Sequence, residues 1–178
     1  YFWFGNHKFR DDKEGGHGTV DMYKSIVKSC DTYYYMLAND LGVDAMHDFM
    51  APFGLGQITG IDIHGEVRGV LPSTAWKKAV YRRKEQQKWY AGETISLGIG
   101  QGYNNFTMLQ LASAMSTIVT GGQRFKPRLV REIEDFGTRG TRRISGKPLA
   151  PMALNPEHVA FIHNAMYGVT QEGTSARI

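Results

Sequence analysis

Residues 29–41 read Ser-Cys-Asp-Thr-Tyr-Tyr-Tyr-Met-Leu-Ala-Asn-Asp-Leu, and this stretch decides the fold class of the chain. Its apolar residues form two adjoining helical stripes, and Gly42 follows at a place where helices commonly end. We therefore predict a largely buried helix that begins near Asp31 or Thr32. At its start, a hydroxyl and a carboxylate flank Cys30, the only cysteine of the chain.

Helical periodicity continues on both sides of this stretch. Thr19 is predicted to cap a helix with apolar residues at positions 20, 23 and 27, and the apolar spacing over 46–53 predicts a short helix before Gly54. Thr107 and Gln110 match a capping box. The apolar stripe that follows them predicts the clearest helix of the chain, which ends at two glycines.

The remaining segments are predicted to be less regular. Residues 54–102 are rich in Gly and Pro and predict a long irregular connection with a basic helical piece at 73–89. Residues 128–144 alternate and turn like a hairpin, and Asn155 is predicted to cap a final helix that Pro156 opens. This order of elements predicts mainly the helical region, plus a hairpin, of an α/β or α+β enzyme whose central sheet lies largely outside the chain.

Composition and charge narrow the function classes. With 178 residues, 42% of them hydrophobic and 12% aromatic, the chain has the composition of a folded domain and not of a disordered or fibrous protein. No apolar run reaches the roughly 18 residues of a membrane-spanning helix. The net charge of +4 comes largely from two basic patches, 77–88 and 124–143. Because no nucleic-acid-binding motif accompanies them, we expect no nucleic-acid partner.

Several short motifs carry a family resemblance. They are Ser29-Cys-Asp-Thr-Tyr-Tyr-Tyr, Phe53-Gly-Leu-Gly with Thr59-Gly-Ile-Asp, Gly98-Ile-Gly-Gln-Gly leading into Thr107, Trp89-Tyr with Gly92-Glu-Thr, and Met166-Tyr-Gly-Val with Gly173-Thr-Ser-Ala. In this order they resemble the transpeptidase domain of class B penicillin-binding proteins, above all the subfamily of the rod-shape elongation machinery. The resemblance covers nearly the whole chain. It implies a serine transpeptidase, or β-lactamase-like, fold.

The resemblance also implies an active site. In this family, a Ser-x-x-Lys, a Ser-x-Asn or Ser-x-Asp, and a Lys-Thr-Gly motif converge. Ser29-Cys30-Asp31 matches the second motif. Carried over, Ser29 would join the proton relay between the lysine of the nucleophile and the leaving group, and Asp31 would hold that lysine or the substrate amide. Against this stands the simpler interpretation that such residues between helices are N-caps.

The other two motifs are missing from their family positions. Ser25-Ile-Val-Lys28 is the only Ser-x-x-Lys, and because it directly precedes Ser29 we interpret it as a chance match. No Lys-Thr-Gly occurs. We therefore expect residues 1–178 to be an internal part of a single transpeptidase domain, which is also suggested by a first residue other than Met. The chain alone is expected to have no acyl-transfer activity.

The family likeness implies a full activity as well. A serine acyl-enzyme would cross-link peptidoglycan stem peptides that end in D-Ala-D-Ala, with β-lactams as inhibitors. The implied setting is the periplasmic face of the bacterial inner membrane, with an anchor outside this chain and partners among SEDS-type glycosyltransferases and elongation-complex proteins. The alternatives are a non-catalytic relative that binds the cell wall or a partner, and a β-lactamase or carboxypeptidase of the same fold.

A metal site is suggested by three residue types near the start of the chain. Asp11, His17 and Cys30 supply one oxygen, one nitrogen and one sulfur donor, a set that suits tetrahedral zinc with a fourth ligand from before Tyr1. Asp12 is an alternative to Asp11, and His7 a weaker substitute for His17. The competing interpretation is an unrelated buried thiol and a loop imidazole.

The predicted zinc would be structural. Acyl transfer by a serine needs no metal, so the ion would act by holding Cys30 in place. Because Cys30 lies between Ser29 and Asp31, this would fix both catalytic side chains from the residue between them.

Overall fold

The computed structural model describes residues 1–176, which form short strands and eight α-helices. In chain order the elements are β1 (Phe2–Phe4), β2 (His7–Phe9), α1 (Met22–Val27), α2 (Asp31–Leu41), α3 (Val43–Met50), a 3-10 turn (Ala51–Phe53), α4 (Thr74–Val80), α5 (Lys84–Gln87), α6 (Ala91–Leu97), α7 (Met108–Val119), β3 (Arg124–Lys126), β4 (Glu132–Glu134), β5 (Thr141–Arg143), β6 (Lys147–Leu149) and α8 (Pro156–Gln171).

The elements divide into two compact units. The first contains Tyr1–Met50, Leu71–Asn104 and the chain from Asn155 onward, and the second contains Ala51–Val70 and Asn105–Leu154. No helix among the described residues combines the length and the apolar character needed to cross a membrane.

The first helix of the first unit begins later than predicted. The carboxylate of Asp21 accepts a hydrogen bond from the backbone N–H of Lys24 at 2.7 Å, so Asp21 and not Thr19 is the N-cap of α1. The prediction was wrong because it passed over the carboxylate directly before the helix, which caps as well as a hydroxyl does.

Helix α2 has the predicted bounds but not the predicted burial. It starts at Asp31, and the N–H of Gly42 donates to Ala38 O at 2.9 Å at its end, where Gly42 has φ 77°. Tyr35 and Ala38 are buried, whereas Met36 and Leu41 are 51% and 52% exposed within the described chain. The expectation of a largely buried helix is therefore wrong for one of its faces.

Proline divides the next predicted helix. Helix α3 ends at Met50, and Phe53, which was expected on its apolar face, lies in the 3-10 turn that follows. Pro52 explains the break, because its nitrogen has no hydrogen to donate and its ring opposes a continued α-helix.

The stretch predicted as a long irregular connection contains more helix than expected. The basic helical piece is present as α4 and α5, and the hydroxyl of Ser73 caps α4 by accepting from Trp76 N at 3.0 Å. Helix α6 was not predicted, although its residues Thr94, Ile95 and Leu97 are buried in the first unit. A seven-residue helix is too short to reveal its periodicity in the sequence.

Helix α6 lies directly against α2. A methyl group added at Gly98, the C-cap of α6, would collide with the backbone carbonyl of Tyr34 and lie 2.8 Å from the Cβ of Ala38. Only a glycine permits this approach, so α6 forms the support on which α2 rests.

Helix α8 completes the first unit. Its N-cap Asn155 accepts from Glu157 N at 2.8 Å, as the sequence predicts. Gly168 lets α8 approach α1 so closely that any side chain there would meet the ring of Tyr23 and Val27.

The second unit is organised by α7 and by one buried amide. The capping box is confirmed: Thr107 N donates to the side chain of Gln110 at 3.2 Å, and Gln110 N donates to Thr107 Oγ1 at 3.1 Å. Gln110 is only 1% exposed, and its Nε2 donates to Gln57 O at 2.6 Å and to Arg68 O at 2.8 Å. One side chain therefore ties the irregular segment to the helix.

Two antiparallel strand pairs complete the second unit. The predicted hairpin is confirmed as β4 and β5, with Ile133 opposite Arg142, while the pairing of β3 with β6 was not predicted. The hairpin begins at Glu132 because Leu129 N and Val130 N donate to the carboxylate of Asp62, at 2.7 and 3.2 Å, and not to a strand. These backbone hydrogen bonds also lower the pKa of Asp62.

Candidate functional site

The three predicted metal-ligating residues come together in the first unit. One ligand atom each of Asp11, His17 and Cys30 lies within 4.8 Å of the others, and we call these residues the Cys30 cluster. The Cys30 thiol donates to Asp11 Oδ2 at 3.1 Å, and His17 Nδ1 lies 3.0 Å from Asp11 Oδ1. Residues 19 positions apart in sequence are thus placed in contact by the loop between β2 and α1.

Two atoms of the Cys30 cluster have unused hydrogen-bonding capacity. The side chains of Asp11 and His17 are 2% and 9% exposed. Despite their proximity, Asp11 Oδ1 and His17 Nδ1 make no hydrogen bond to any residue in the described part of the chain. Buried polar atoms nearly always have a partner, so a site that aims such atoms at one another fits a bound cation.

Of the two alternative ligands, Asp12 lies close to the Cys30 cluster and His7 does not. Asp12 lies beside the cluster, with its Oδ1 4.0 Å from His17 Nε2, and it forms a second group of carboxylates with Asp11 and Asp31. His7 lies on β2 with its ring 4.6 Å from that of Phe9, and it is not among the gathered ligand atoms of the described residues. The structure therefore retains Asp12 and not His7 as a neighbour of the site.

Within the Cys30 cluster, the pKa of the Asp11 carboxyl and the pKa of the Cys30 thiol are shifted in opposite directions. Burial raises the pKa of Asp11, but its contacts with Asp12, Cys30, Thr32 and His17, in that order of effect, outweigh burial and hold the pKa well below its usual range. Burial, together with the adjacent Asp11, raises the pKa of the Cys30 thiol. Asp11 is thus a fixed negative charge next to a neutral thiol.

Ser29 and Asp31 lie on either side of this cluster. Ser29 is exposed and has φ 53°, a left-handed conformation that costs a residue other than glycine about 1 kcal/mol or more. Asp31 is the first residue of α2 and is half-buried; burial and the charges of Asp11 and Asp12 raise its pKa. The strained loop presents the Ser29 hydroxyl outward while Cys30 points inward at 4% exposure.

The Ser25 and Lys28 pair is used for packing. Ser25 is fully buried on α1, where its Oγ donates to Met22 O at 2.7 Å and lies 3.2 Å from the hydroxyl of Tyr34. Lys28 Nζ donates to the backbone carbonyl of Glu172 at the end of α8. A hydroxyl enclosed in this way cannot reach a substrate, which supports the interpretation of Ser-x-x-Lys as a chance match.

A second buried polar cluster was not predicted from the sequence. Lys77 on α4, which belongs to the basic patch 77–88 of the sequence, is only 3% exposed and donates through Nζ to Glu93 Oε1 on α6. Tyr103 donates its hydroxyl to the same oxygen at 2.9 Å, and Glu93 Oε2 accepts from Tyr90 N at 2.9 Å. With the ring of Trp89, we call these residues the Lys77 cluster.

Aromatic rings enclose the ammonium group of the Lys77 cluster. Lys77 Nζ lies 5.4 Å from the ring centroids of Trp89 and Tyr103 and 5.5 Å from that of Tyr90, distances typical of cation–π interactions. Burial raises the pKa of Glu93, but the hydrogen bonds from Lys77, Tyr90 and Tyr103 outweigh it and lower the pKa. No local sequence pattern reveals this cluster, because Lys77 and Glu93 lie 16 residues apart.

Comparison with known proteins identifies the family. The family model for the penicillin-binding protein transpeptidase domain matches residues 2–177. Peptidoglycan D,D-transpeptidase MrdA of Acinetobacter baumannii is 40% identical over 177 residues, which cover 97% of this chain and 25% of that protein. The chain thus spans about a quarter of the length of the curated relatives it matches.

Solved structures give the same result for the fold. The chain resembles Pseudomonas aeruginosa PBP2, solved in complex with WCK 5153, with a TM-score of 0.82, 34% identity and coverage of 99% of this chain and 39% of that one. PBP2 of Helicobacter pylori in its complex with MreC gives a TM-score of 0.76, 28% identity and coverage of 96% and 29%. These similarities confirm the predicted serine transpeptidase fold.

Proposed function

Because the chain belongs to the penicillin-binding protein transpeptidase domain family, we propose that it supplies part of the active site of a peptidoglycan D,D-transpeptidase of cell elongation. The single observation that carries the proposal is the triplet Ser29-Cys30-Asp31, which stands at the start of α2 in a chain that matches the family over residues 2–177. An N-cap role alone does not account for it, since Cys30 caps α2 without any side-chain hydrogen bond.

In the proposed reaction, a serine outside this chain attacks the carbonyl carbon between the two D-Ala residues of a stem peptide. This forms a serine ester and breaks the amide bond, and the terminal D-Ala leaves with the proton of the serine hydroxyl. The amine of a neighbouring stem then attacks the ester carbonyl, forms the cross-link amide and returns a proton to the released serine. Ser29, exposed at the tip of its strained loop, would pass the proton towards the departing amine, as a general acid does. Asp31 would orient the lysine of the nucleophile or the substrate amide.

The same proposal covers the substrates, partners and cellular location of the protein. We expect stem peptides ending in D-Ala-D-Ala as substrates and β-lactams as inhibitors. The similarity to Helicobacter pylori PBP2 solved with MreC, and to the structure of a peptidoglycan synthase complex, supports elongation-complex proteins, including a SEDS-type glycosyltransferase, as partners. The catalytic domain would work at the periplasmic face of the inner membrane.

We further propose a structural zinc ion at the Cys30 cluster. Asp11, His17 and Cys30 would hold it, with a fourth ligand from outside these three residues. The donor set fits zinc, and Asp11 Oδ1 and His17 Nδ1, which lie 3.0 Å apart without a hydrogen bond, leave two buried donor atoms that a cation could use. When bound, a divalent cation favours the thiolate form of Cys30 and so offsets the effects of burial and of Asp11.

The proposed activity is tested by labelling the full-length protein with a fluorescent β-lactam. We expect labelling in the wild type and a fall of at least tenfold in the initial rate in Ser29→Ala and in Asp31→Ala. The matched controls are Ser145→Ala and Asp40→Ala, because both residues are exposed and Asp40 lies on α2 as well. Absence of label from a folded wild type would instead favour a non-catalytic binding protein.

A further inference from the structure

We propose that the Lys77 cluster is a positioning device for the active site: it fixes the start of α6, and α6 in turn sets the position of α2 and of Asp31. The proposal rests on the proposed function, since it concerns the same acylation site. Lys77 and Glu93 are argued to act through α6 and α2, so they are positioning residues.

The first step is that this cluster is poorly explained by stability alone. Burying an ammonium group and a carboxylate removes their favourable hydration. Apolar residues of equal volume often stabilise a fold as much as such a buried ion pair, or more. Lys77 and Glu93 have side chains 4% and 23% exposed, so most of that hydration is lost. Unlike apolar packing, a hydrogen-bonded ion pair fixes the relative orientation of the two groups that form it.

The second step is that the side-chain hydrogen bonds of Glu93 hold the first turn of α6 in place. Its Oε2 accepts from the N–H of Tyr90, the N-cap, and its Oε1 accepts from Lys77 of α4 and from Tyr103. Trp89 Nε1 donates to Thr94 Oγ1 at 2.9 Å on the next residue of the helix. The start of α6 is therefore held by directional bonds from both of its flanking segments.

The third step connects α6 to the site. Ile95 of α6 is fully buried, and the helix ends at Gly98, whose backbone contacts Tyr34 and Ala38 of α2 without room for a methyl group. Contacts this close transmit a shift of one helix to the other, because packed interiors leave little free space. Asp31 lies one turn before Tyr34 on the same helix.

The experiment measures acylation of the full-length protein by a β-lactam in stopped flow. It separates the first-order acylation constant from the affinity of the preceding complex. Lys77→Met removes the charge and keeps the length of the side chain, and Lys78→Met is the matched control on the exposed face of α4. We expect about a tenfold fall in the acylation constant of Lys77→Met, measured where all variants are folded, with affinity within about twofold.

A double variant distinguishes positioning from stability. Lys77→Met with Glu93→Gln removes both charges, so no buried charge is left unpaired and the melting temperature should recover relative to Lys77→Met. The acylation constant should stay about tenfold low, because the direction of the bond is still lost.

Two results would overturn the proposal. They are an acylation constant of folded Lys77→Met within about twofold of the wild type, and an acylation constant that recovers together with the melting temperature. If Lys77→Met does not fold, the acylation constant of Glu93→Gln is compared with that of the wild type instead, and a value within about twofold would overturn the proposal. A wild type that is not acylated at all would refute the proposed function instead.

Discussion

The Cys30 cluster and the Lys77 cluster lie in the same unit and are both buried, but they satisfy their polar atoms differently. In the Lys77 cluster, both oxygens of Glu93 accept hydrogen bonds, and the ammonium group has a carboxylate and aromatic rings around it. In the Cys30 cluster, Asp11 Oδ1 and His17 Nδ1 make no hydrogen bond within the described residues.

This difference distinguishes a cluster whose polar atoms are satisfied within the chain from one that, as we propose, is completed by a bound metal ion. A cluster whose charges cancel internally is complete when the chain folds. The Cys30 cluster gathers an oxygen, a nitrogen and a sulfur donor and leaves two of their atoms without a hydrogen bond, so under our proposal it would gain stability from a bound cation. In our proposals both clusters influence α2, the Cys30 cluster at its N-terminus and the Lys77 cluster through α6, whose C-cap Gly98 contacts α2.

The largest expected effect is on the Cys30 cluster. Cys30→Ser should lower the zinc content of the full-length protein at least tenfold, because serine is a much poorer zinc ligand than a thiolate. Elemental analysis of purified protein measures the content, and His64→Asn, which alters an exposed histidine, is the control. Unchanged zinc in Cys30→Ser would remove this cluster as the metal site.

Next in size is the loss of one partner from the Lys77 cluster. Lys77→Met should lower the free energy of unfolding by about 3–5 kcal/mol, since it leaves Glu93 as an uncompensated, mostly buried charge. Denaturant unfolding of the wild type and of Lys77→Met measures this difference in free energy. The difference should be the same with and without a metal chelator. A chelator-dependent loss would mean that the two clusters are not independent.

The smallest expected effect is a pH dependence of the Lys77 cluster. The pKa of Glu93 is lower in the folded chain than its ordinary value of 4.5, so its contribution to stability is present above that value and disappears as pH falls through the lowered pKa. The difference in unfolding free energy between wild type and Glu93→Gln should therefore shrink as the pH falls from about 5 through the lowered pKa.

Thermal unfolding at several pH values measures this difference, with the exposed Glu85→Gln as control. A difference that grows as the pH falls would reverse the sign and contradict the account of the Lys77 cluster.

Local patterns account for what the sequence predicted correctly. The capping box of Thr107 and Gln110 and the Asn155-Pro156 start of α8 depend on residues within one turn of the chain. The proximity of Asp11, His17 and Cys30 was predicted from ligand chemistry, because few residue types bind zinc, while the zinc itself stays a prediction.

Long-range contacts account for what was missed. Nothing near Lys77 in the sequence indicates burial, since its carboxylate partner lies 16 residues away and its rings come from two segments. The hairpin began late because Asp62, 67 residues from Leu129, takes two backbone donors. Tertiary partners of this kind override local periodicity.

The most direct test of the account is to measure zinc content and β-lactam acylation on one preparation of the full-length protein, before and after a chelator removes the metal. We predict about one zinc per chain at the start, and a fall in acylation rate that parallels the loss of zinc and is restored when zinc is returned. A metal-free protein that is acylated as fast as the untreated sample would contradict the claim that the Cys30 cluster holds Ser29 and Asp31 in place.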